Sequence, residues 1–350
     1  MSKIKLAVVF GGMSTEHDVS IVSGTSVIKN LDKEKYDIHP IYIGKTGYWY
    51  TYTPTKRVYK VGDKIDNIES LGNPIQYLSQ MDCIFPVLHG LYGEDGTIQG
   101  LFELTKVPYV GCKVLASSIS MDKVYTKIIF EKAGLDQAKY MYIRENNGKY
   151  IYVDENFNET ICSLKQVTKI IEEKLKYPMF IKPSNSGSSV GINKAKNTQE
   201  LEEAVIYATK FDKKILIEEG INGREVECAV LGNEEVEASC IGEVLSAEDF
   251  YSFDSKYKNN ESRTQIPAYI PKEISDQIRK KAIKAFKAVN GSGLSRVDFF
   301  IENETNRIII NEINTLPGFT NISMYPKLFE AVGIHYNELL DKIIELAIKS

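Results

Sequence analysis

Ser295-Arg-Val-Asp-Phe-Phe300 and, after a polar turn, Ile308-Ile-Ile-Asn-Glu-Ile-Asn-Thr-Leu-Pro-Gly318 form the stretch on which the fold turns. Both halves read as strands, rich in β-branched and aromatic residues. Side chains two apart on a strand share a face. Arg296 and Asp298 therefore point one way, and Glu312 and Asn314 share a face as well. If the two strands are neighbours, three hard oxygen donors and one guanidinium gather at one spot. A phosphate-bridged magnesium site needs that set, and a packed core does not.

The rest of the chain sets the frame for this pair. It has 350 residues, 43% of them apolar, enough for a large core and, by length, for two or three domains. Its 43 basic and 47 acidic residues give a net charge of −4 and are spread along the chain, so nothing favours a nucleic-acid partner. No apolar run reaches the roughly 18 residues that suggest a membrane span. The opening Met1-Ser-Lys-Ile-Lys-Leu-Ala-Val-Val-Phe10 stops at two glycines and reads as a first strand, not as a secretory signal. Cys83, Cys112, Cys162, Cys228 and Cys240 are widely spaced and mostly beside apolar residues. They read as reduced, buried thiols of a cytosolic protein. No histidine stands at zinc-motif spacing from another ligand.

Lys5 to Phe10 reads as a buried strand, Val19 to Leu31 as a helix and Ile38 to Ile43 as a second strand, the start of an open α/β domain with a parallel sheet. Aromatic alternation in Tyr48-Trp-Tyr-Thr-Tyr52 suggests a hairpin. Cys83 to Leu88 is again a core strand, Ile98 to Thr105 a helix and Pro108 to Val110 a short closing strand, so a first domain ends near Gly111. Helices follow at Val124 to Ala133, Leu164 to Leu175 and Leu201 to Thr209, with strands at Phe180 to Lys182 and Ile215 to Glu218. Strands Glu225 to Leu231 and Glu235 to Gly242, helix Ile274 to Val289 and a last helix Tyr336 to Ile348 complete the pattern. Between them, Ser246 to Gln265 is polar and aromatic-studded. A stretch of that length without structure of its own reads as a binding loop or lid over a polyanion.

Four further places carry chemistry. In Lys182-Pro-Ser-Asn-Ser-Gly-Ser-Ser-Val-Gly191, small residues let backbone amides converge on an anion while Lys182 supplies a point charge. The order is not that of a P-loop, and no G-x-G-x-x-G follows the first strand. Glu218-Glu-Gly-Ile221 ends a buried strand; it is either a connector or an edge for adenine, with Glu218 or Glu225 beside the ribose. Glu16 follows the first strand and His89 another, at strand ends where open α/β sheets bind ligands. Glu16 is either an ammonium ligand or a helix-entry carboxylate, and His89 is either structural or part of the same cleft.

With these residues in hand, the chain resembles the D-alanine–D-alanine ligase family of the ATP-grasp superfamily over essentially its whole length. The matching motifs are Gly11-Gly-Met-Ser-Thr-Glu-His-Asp-Val-Ser20, His89-Gly-Leu-Tyr-Gly-Glu-Asp-Gly96, Met121-Asp-Lys123, the Lys182–Gly191 loop, Tyr251-Ser-Phe-Asp-Ser-Lys-Tyr257, Arg296-Val-Asp298 and Asn311-Glu-Ile-Asn-Thr-Leu-Pro-Gly318. The resemblance implies an α/β fold, α+β in its ATP-grasp part, with three domains. These are an N-terminal open parallel-sheet domain (1–112), a central subdomain (113–220) and a C-terminal subdomain with metal site and lid (221–350).

It also implies roles. Lys123, Lys182, Ser189 and Lys256 would hold ATP, with adenine at the backbone of Glu219 and Ile221, Glu218 close by and the ribose on Glu225. Asp298, Glu312 and Asn314 would bind two Mg2+ ions, or Mn2+, with Glu312 bridging. Glu16 would take the ammonium of the first D-alanine within a Glu16–Ser188–Tyr257 network that closes the lid. Arg296 and the Gly318 amide would stabilise an oxyanion near His89, and Ser323 and Met324 would line the second-substrate site. The implied reaction converts one D-alanine to an acyl phosphate, which the amine of a second D-alanine attacks, for peptidoglycan synthesis in the cytoplasm by a homodimer. Tyr257 in its ordinary place, no histidine in the lid and the apolar Met324 point to D-alanine over D-lactate and D-serine as acceptor. Thr320-Asn-Ile-Ser323 departs from the Thr-Ser-His-Ser of many relatives. A D-alanine–D-serine ligase and a non-catalytic ATP-binding module are the alternatives.

Overall fold

The computed structural model describes residues 2–55, 58–245, 263–320 and 322–350. Apart from its final strand, the stretch read as a lid lies outside them, including Lys256 and Tyr257. The described residues form three sheets flanked by helices.

In the first sheet, β1 (Ile4–Gly11), β2 (Tyr36–Ile43), β3 (Trp49–Tyr52), β4 (Ile68–Ser70) and β5 (Cys83–Val87) run in the order β4-β3-β2-β1-β5. β1 is parallel to both β2 and β5. Leu6 to Phe10 are fully buried, the continuous apolar run of a strand covered on both faces. The sheet is not parallel throughout. β3 turns back on β2 and β4 on β3 as an antiparallel edge, because the short Gly44–Tyr48 turn leaves no room for a crossover. Pro108–Val110 forms no strand; Tyr109 makes a single bridge to Ile84.

The second sheet is antiparallel, with β6 (Tyr140–Asn146), β7 (Lys149–Val153), β8 (Glu159–Cys162), β9 (Met179–Pro183), β10 (Asn193–Ala195) and β11 (Lys214–Glu219) in the order β10-β9-β11-β6-β7-β8. The third holds β12 (Gly223–Gly232), β13 (Val236–Leu245), β14 (Arg263–Gln265), β15 (Gly293–Glu302) and β16 (Ile308–Asn314) in the order β14-β13-β12-β15-β16. Because each sheet draws on one segment of chain, we propose 1–112, 113–220 and 221–350 as the domain limits.

Among the described residues, three helices escape a reading by periodicity. Pro74–Leu78 is one short turn that Asn73 caps by accepting from the amides of Ile75 and Gln76. Val114–Met121 has no side-chain cap and is rich in serine. Met324–Glu330 contains Pro326, which reads as a breaker but sits in the first turn, where a missing N–H costs nothing. Among the described residues, no helix is long and apolar enough to cross a membrane. All five cysteines are free and four are buried; burial pushes the thiols of Cys83 and Cys228 up to about 12.

One apolar core joins the first and third domains. Leu6, Phe10 and Phe85 from the first sheet share it with Phe319, Tyr325, Leu339, Leu340, Ile343 and Ile344. At its centre Phe85 and Phe319 meet edge to face, centroids 6.0 Å apart. On the other face of the third sheet, Val297, Phe299, Ile301, Ile308, Ile310 and Ile313 pack with Phe286 of the helix Lys272–Ala288.

Alternation along β15 makes a direct test. Truncating the fully buried Phe299 to Ala should lower unfolding free energy by about 3–5 kcal/mol. Phe300, next along and on the cleft face, should cost far less when truncated. Urea titration of both variants measures the difference, and equal losses would contradict the assignment of faces.

Candidate active site

The decisive strands are neighbours. β15 and β16 pair antiparallel with Arg296 opposite Asn314 and Asp298 opposite Glu312. The register steps at Asn311, which has no partner between the Asp298–Glu312 and Phe299–Ile310 pairs. This β-bulge settles a conflict in the sequence. Strict alternation would put Glu312 on the face of Ile308 and Ile310, which is core. One extra residue lets Ile313 take the core position and turns Glu312 and Asn314 to the cleft, opposite Asp298 and Arg296.

On the cleft face Arg296 is clamped. Its Nε and Nη2 each donate 2.7 Å to one oxygen of Asp298, and Nε also lies 3.0 Å from Glu227 Oε2 on β12. Asn314 Nδ2 donates to Asp298 Oδ2 at 3.0 Å. Burial opposes the guanidinium charge, but Asp298 and Glu227 outweigh it and hold its pKa well above the ordinary value. Glu227 escaped the sequence reading. Its signal was the alternation Glu225-Val-Glu227-Cys228, which sets both carboxylates on the face opposite the core residues Val226 and Cys228.

Among the described residues, no three His, Cys, Asp or Glu side chains cluster as a metal cage. Asp298 and Glu312 supply two carboxylates and Asn314 an amide oxygen. That set fits Mg2+, which takes one or two carboxylates and completes its octahedron with waters and substrate phosphate oxygens.

Lys182, at the end of β9, faces this sheet across the cleft. It forms an ion pair with Glu218 on β11, whose other oxygen lies 2.9 Å from Lys127 Nζ. Burial alone would raise the Glu218 pKa, but Lys127 and Lys182 reverse that and bring it to about 2. For Lys182, burial is again outweighed, by Glu218 first and then by Glu312 and Glu225, so its pKa rises. Lys127 also escaped the sequence reading. It stands four residues after Lys123 in the helix Lys123–Lys132, so the two share a helix face.

Lys123 Nζ donates to the Ser186 carbonyl at 2.6 Å, tying that helix to the Lys182–Gly191 loop. In the loop itself Ser188 and Ser189 take left-handed backbone angles, φ 49° and 61°, a conformation that clusters at ligand clamps. At the end of β11, Glu219 turns its side chain to the Lys176 amide, 2.9 Å away, while the segment Glu218 to Glu225 lines the cleft.

Glu16 precedes the helix His17–Asn30 and is nearly buried. A Cβ added at Gly90 would lie 2.5 Å from Glu16 Oε2, and one at Gly187 would lie 3.0 Å away. Only glycine permits so close an approach, so Glu16, the His89–Gly90 turn and the Lys182–Gly191 loop converge. His89 is buried; Nδ1 lies 3.2 Å from the Leu316 carbonyl and Nε2 3.0 Å from Ser23 Oγ. Burial disfavours the imidazolium, but Glu94, 3.9 Å from Nδ1, more than compensates and raises the His89 pKa.

Gly318, Ser323 and Met324 close the far wall. Ser323 Oγ accepts from the Thr320 amide at 2.9 Å and is 2.8 Å from Thr320 Oγ1, so the hydroxyl braces its own turn. Met324 is buried, whereas Ile322 is 74% exposed. Glu16, His89, Lys182, Arg296, Asp298, Glu312 and Gly318 line one cleft of about 1460 Å³ between the three sheets.

Sequence profiles described as D-ala D-ala ligase N-terminus and D-ala D-ala ligase C-terminus match residues 5–112 and 129–345. The chain belongs to the D-alanine–D-alanine ligase family. It is 49% identical to a D-alanine--D-alanine ligase of Acetivibrio thermocellus, covering 99% of this chain and 96% of that one. It is 48% identical to another from Clostridium acetobutylicum, over 99% and 98%. Among solved structures it is similar to the VanG D-Ala:D-Ser ligase from Enterococcus faecalis, with TM-score 0.85, 36% identity, and 99% and 100% coverage. It is also similar to the D-alanine-D-alanine ligase from Coxiella burnetii, with TM-score 0.82, 34% identity, and 100% and 95% coverage. The mixed α/β architecture of three sheets is that of the ATP-grasp members of this family.

The Lys127–Glu218–Lys182 group generates a prediction. Glu218→Gln leaves two buried ammoniums without their counter-charge and should destabilise the fold by about 3–5 kcal/mol. A depressed carboxyl pKa contributes stability above the unfolded value that is lost as pH falls through the folded one. The wild type should therefore lose this contribution between about pH 4.5 and pH 2, and the variant should lack it already at neutral pH. Thermal melts across that range read both effects.

Proposed function

We propose that the cleft joins two D-alanines into D-alanyl-D-alanine at the expense of ATP, through a D-alanyl phosphate, for peptidoglycan synthesis in the cytoplasm. The observation that carries this reading is the shared sheet face of Arg296, Asp298, Glu312 and Asn314 opposite Lys182. A phosphoryl-transfer site needs positive charge and metal ligands around one triphosphate, and catalysis there is mostly positioning and electrostatics.

In this reading Lys123, Lys182, Ser189 and Lys256 bind the phosphates, and Lys127 and Glu218 hold Lys182 in place. The backbone of Glu219 and Ile221 holds adenine, and Glu225 the ribose. Asp298, Glu312 and Asn314 hold two Mg2+ ions, or Mn2+, which when bound neutralise charge on the transferring phosphoryl group. Glu16 binds the ammonium of the first D-alanine, within the network it shares with Ser188 and Tyr257. Arg296 and the Gly318 amide face the oxyanion that develops when the second amine attacks, with His89 beside them. Burial of the site protects the acyl phosphate from water. Ser323 and Met324 bound the acceptor site, where an apolar Met324 leaves a serine hydroxyl without a partner. The chain works as a homodimer, which light scattering on the eluted protein checks.

The pure protein with ATP, Mg2+ and D-alanine should release phosphate and form the dipeptide; phosphate release indifferent to every D-amino acid would refute the reading. D-Alanine should outcompete D-serine and D-lactate as acceptor. Glu312→Gln should abolish turnover by two orders of magnitude or more, about 3 kcal/mol, while the thermal midpoint holds. An unchanged Mg2+ requirement with wild-type turnover would remove Glu312 from the metal site.

A further inference from the structure

The segment Leu316–Phe319 carries the Gly318 amide, yet what fixes it comes largely from elsewhere in the chain. At its front, the Leu316 carbonyl accepts from His89 Nδ1 at 3.2 Å. A carbonyl only accepts, so Nδ1 carries hydrogen in either protonation state of the ring. At its back, the Phe319 carbonyl accepts from the Tyr336 hydroxyl at 2.7 Å. Both donors are backed from one helix: Ser23 Oγ lies 3.0 Å from His89 Nε2, and Ser26 Oγ 3.4 Å from the Tyr336 hydroxyl. The Tyr336 proton is spent on Phe319, so Ser26 donates in that second contact. Ser23 and Ser26 are three apart on the helix His17–Asn30 and share a face.

Tyr336 is also rigidly mounted. It opens the helix Tyr336–Ile348, whose Leu339, Leu340, Ile343 and Ile344 are fully buried in the core shared by the first and third domains. Its ring meets Phe319 edge to face at 6.3 Å. Burial pushes the Tyr336 hydroxyl up to about 12, so it remains a donor at any assay pH near neutrality.

We propose that Tyr336 is a positioning residue for the ligation step. Its hydroxyl, backed by Ser26 of the first domain, sets the height of the Gly318 amide against the oxyanion. The first domain thus takes part in oxyanion stabilisation without touching the reacting atoms. This role rests on the ligase reading above, in which the Gly318 amide is an oxyanion donor.

The test compares wild type with Tyr336→Phe, which keeps the ring packing and removes only the hydroxyl. The measurements are kcat, KM for ATP, thermal midpoint and inhibition by a dipeptide analogue with a tetrahedral phosphinate at the peptide carbon. Misplacing an oriented group by about an ångström can cost as much as 100-fold, so kcat should fall about ten- to a hundredfold. Affinity for the phosphinate should fall by a similar factor, since such analogues report transition-state binding, while KM for ATP stays within about twofold. Unchanged kcat and phosphinate affinity, or a loss of activity with phosphinate affinity intact, would overturn the proposal.

If Tyr336→Phe does not fold, Ser26→Ala, at a half-buried position, carries the same readouts, and a smaller fall in the same direction is expected. No change in either readout would count against the proposal as surely. Wild type that makes no dipeptide refutes the ligase reading itself; active wild type beside an unaffected Tyr336→Phe refutes only the positioning role.

Discussion

Everything in the cleft depends on one continuous apolar core between the first and third domains. Glu16 and His89 stand at strand ends of one sheet; Arg296 and Asp298 belong to another, and Gly318 lies just beyond its strand β16. They meet because Phe85 packs on Phe319 and the last helix of the chain buries its apolar stripe beside β1 and β5. Fully buried side chains of this size each contribute roughly 1.5–3 kcal/mol, so the interface has the character of a core. A close-packed core tolerates few alternative arrangements, and that fixes the two halves of the site to within contact distance.

The charges in the cleft are matched before any ligand arrives. Arg296 is held by Asp298 and Glu227, Lys182 by Glu218, and Glu218 in turn by Lys127. Left single, any of these would be expensive to bury. Paired, they are pre-oriented. In the proposed reaction an incoming polyphosphate would meet side chains already paired and oriented, so little reorganisation is left for the reaction itself.

Much of this was legible residue by residue, and the misses have physical causes. Two-residue periodicity shows that Arg296 shares a face with Asp298 and Glu312 with Asn314, and their meeting followed once the strands were taken as neighbours. The bulge at Asn311 did not follow, although the run of three isoleucines before the polar alternation carries its trace. Glu227 was passed over because a carboxylate in a strand ordinarily marks a solvated face. Lys127 was passed over because a lysine in an amphipathic helix ordinarily does the same. The helix Met324–Glu330 was hidden by Pro326, which interrupts a pattern only when it stands beyond the first turn.

By itself the sequence determined most of the elements, the ordered motifs and the family, since periodicity, small-residue loops and motif order are properties of neighbours along the chain. Tertiary structure alone decided that Ser23 and Ser26 of the first domain reach His89 and Tyr336, and that these two hold the Gly318 segment from either side. Ser26 and Tyr336 are 310 positions apart, and no local pattern encodes which distant surfaces will share a core. That choice belongs to the packing of whole domains, where shape and burial act over distances a sequence window does not span.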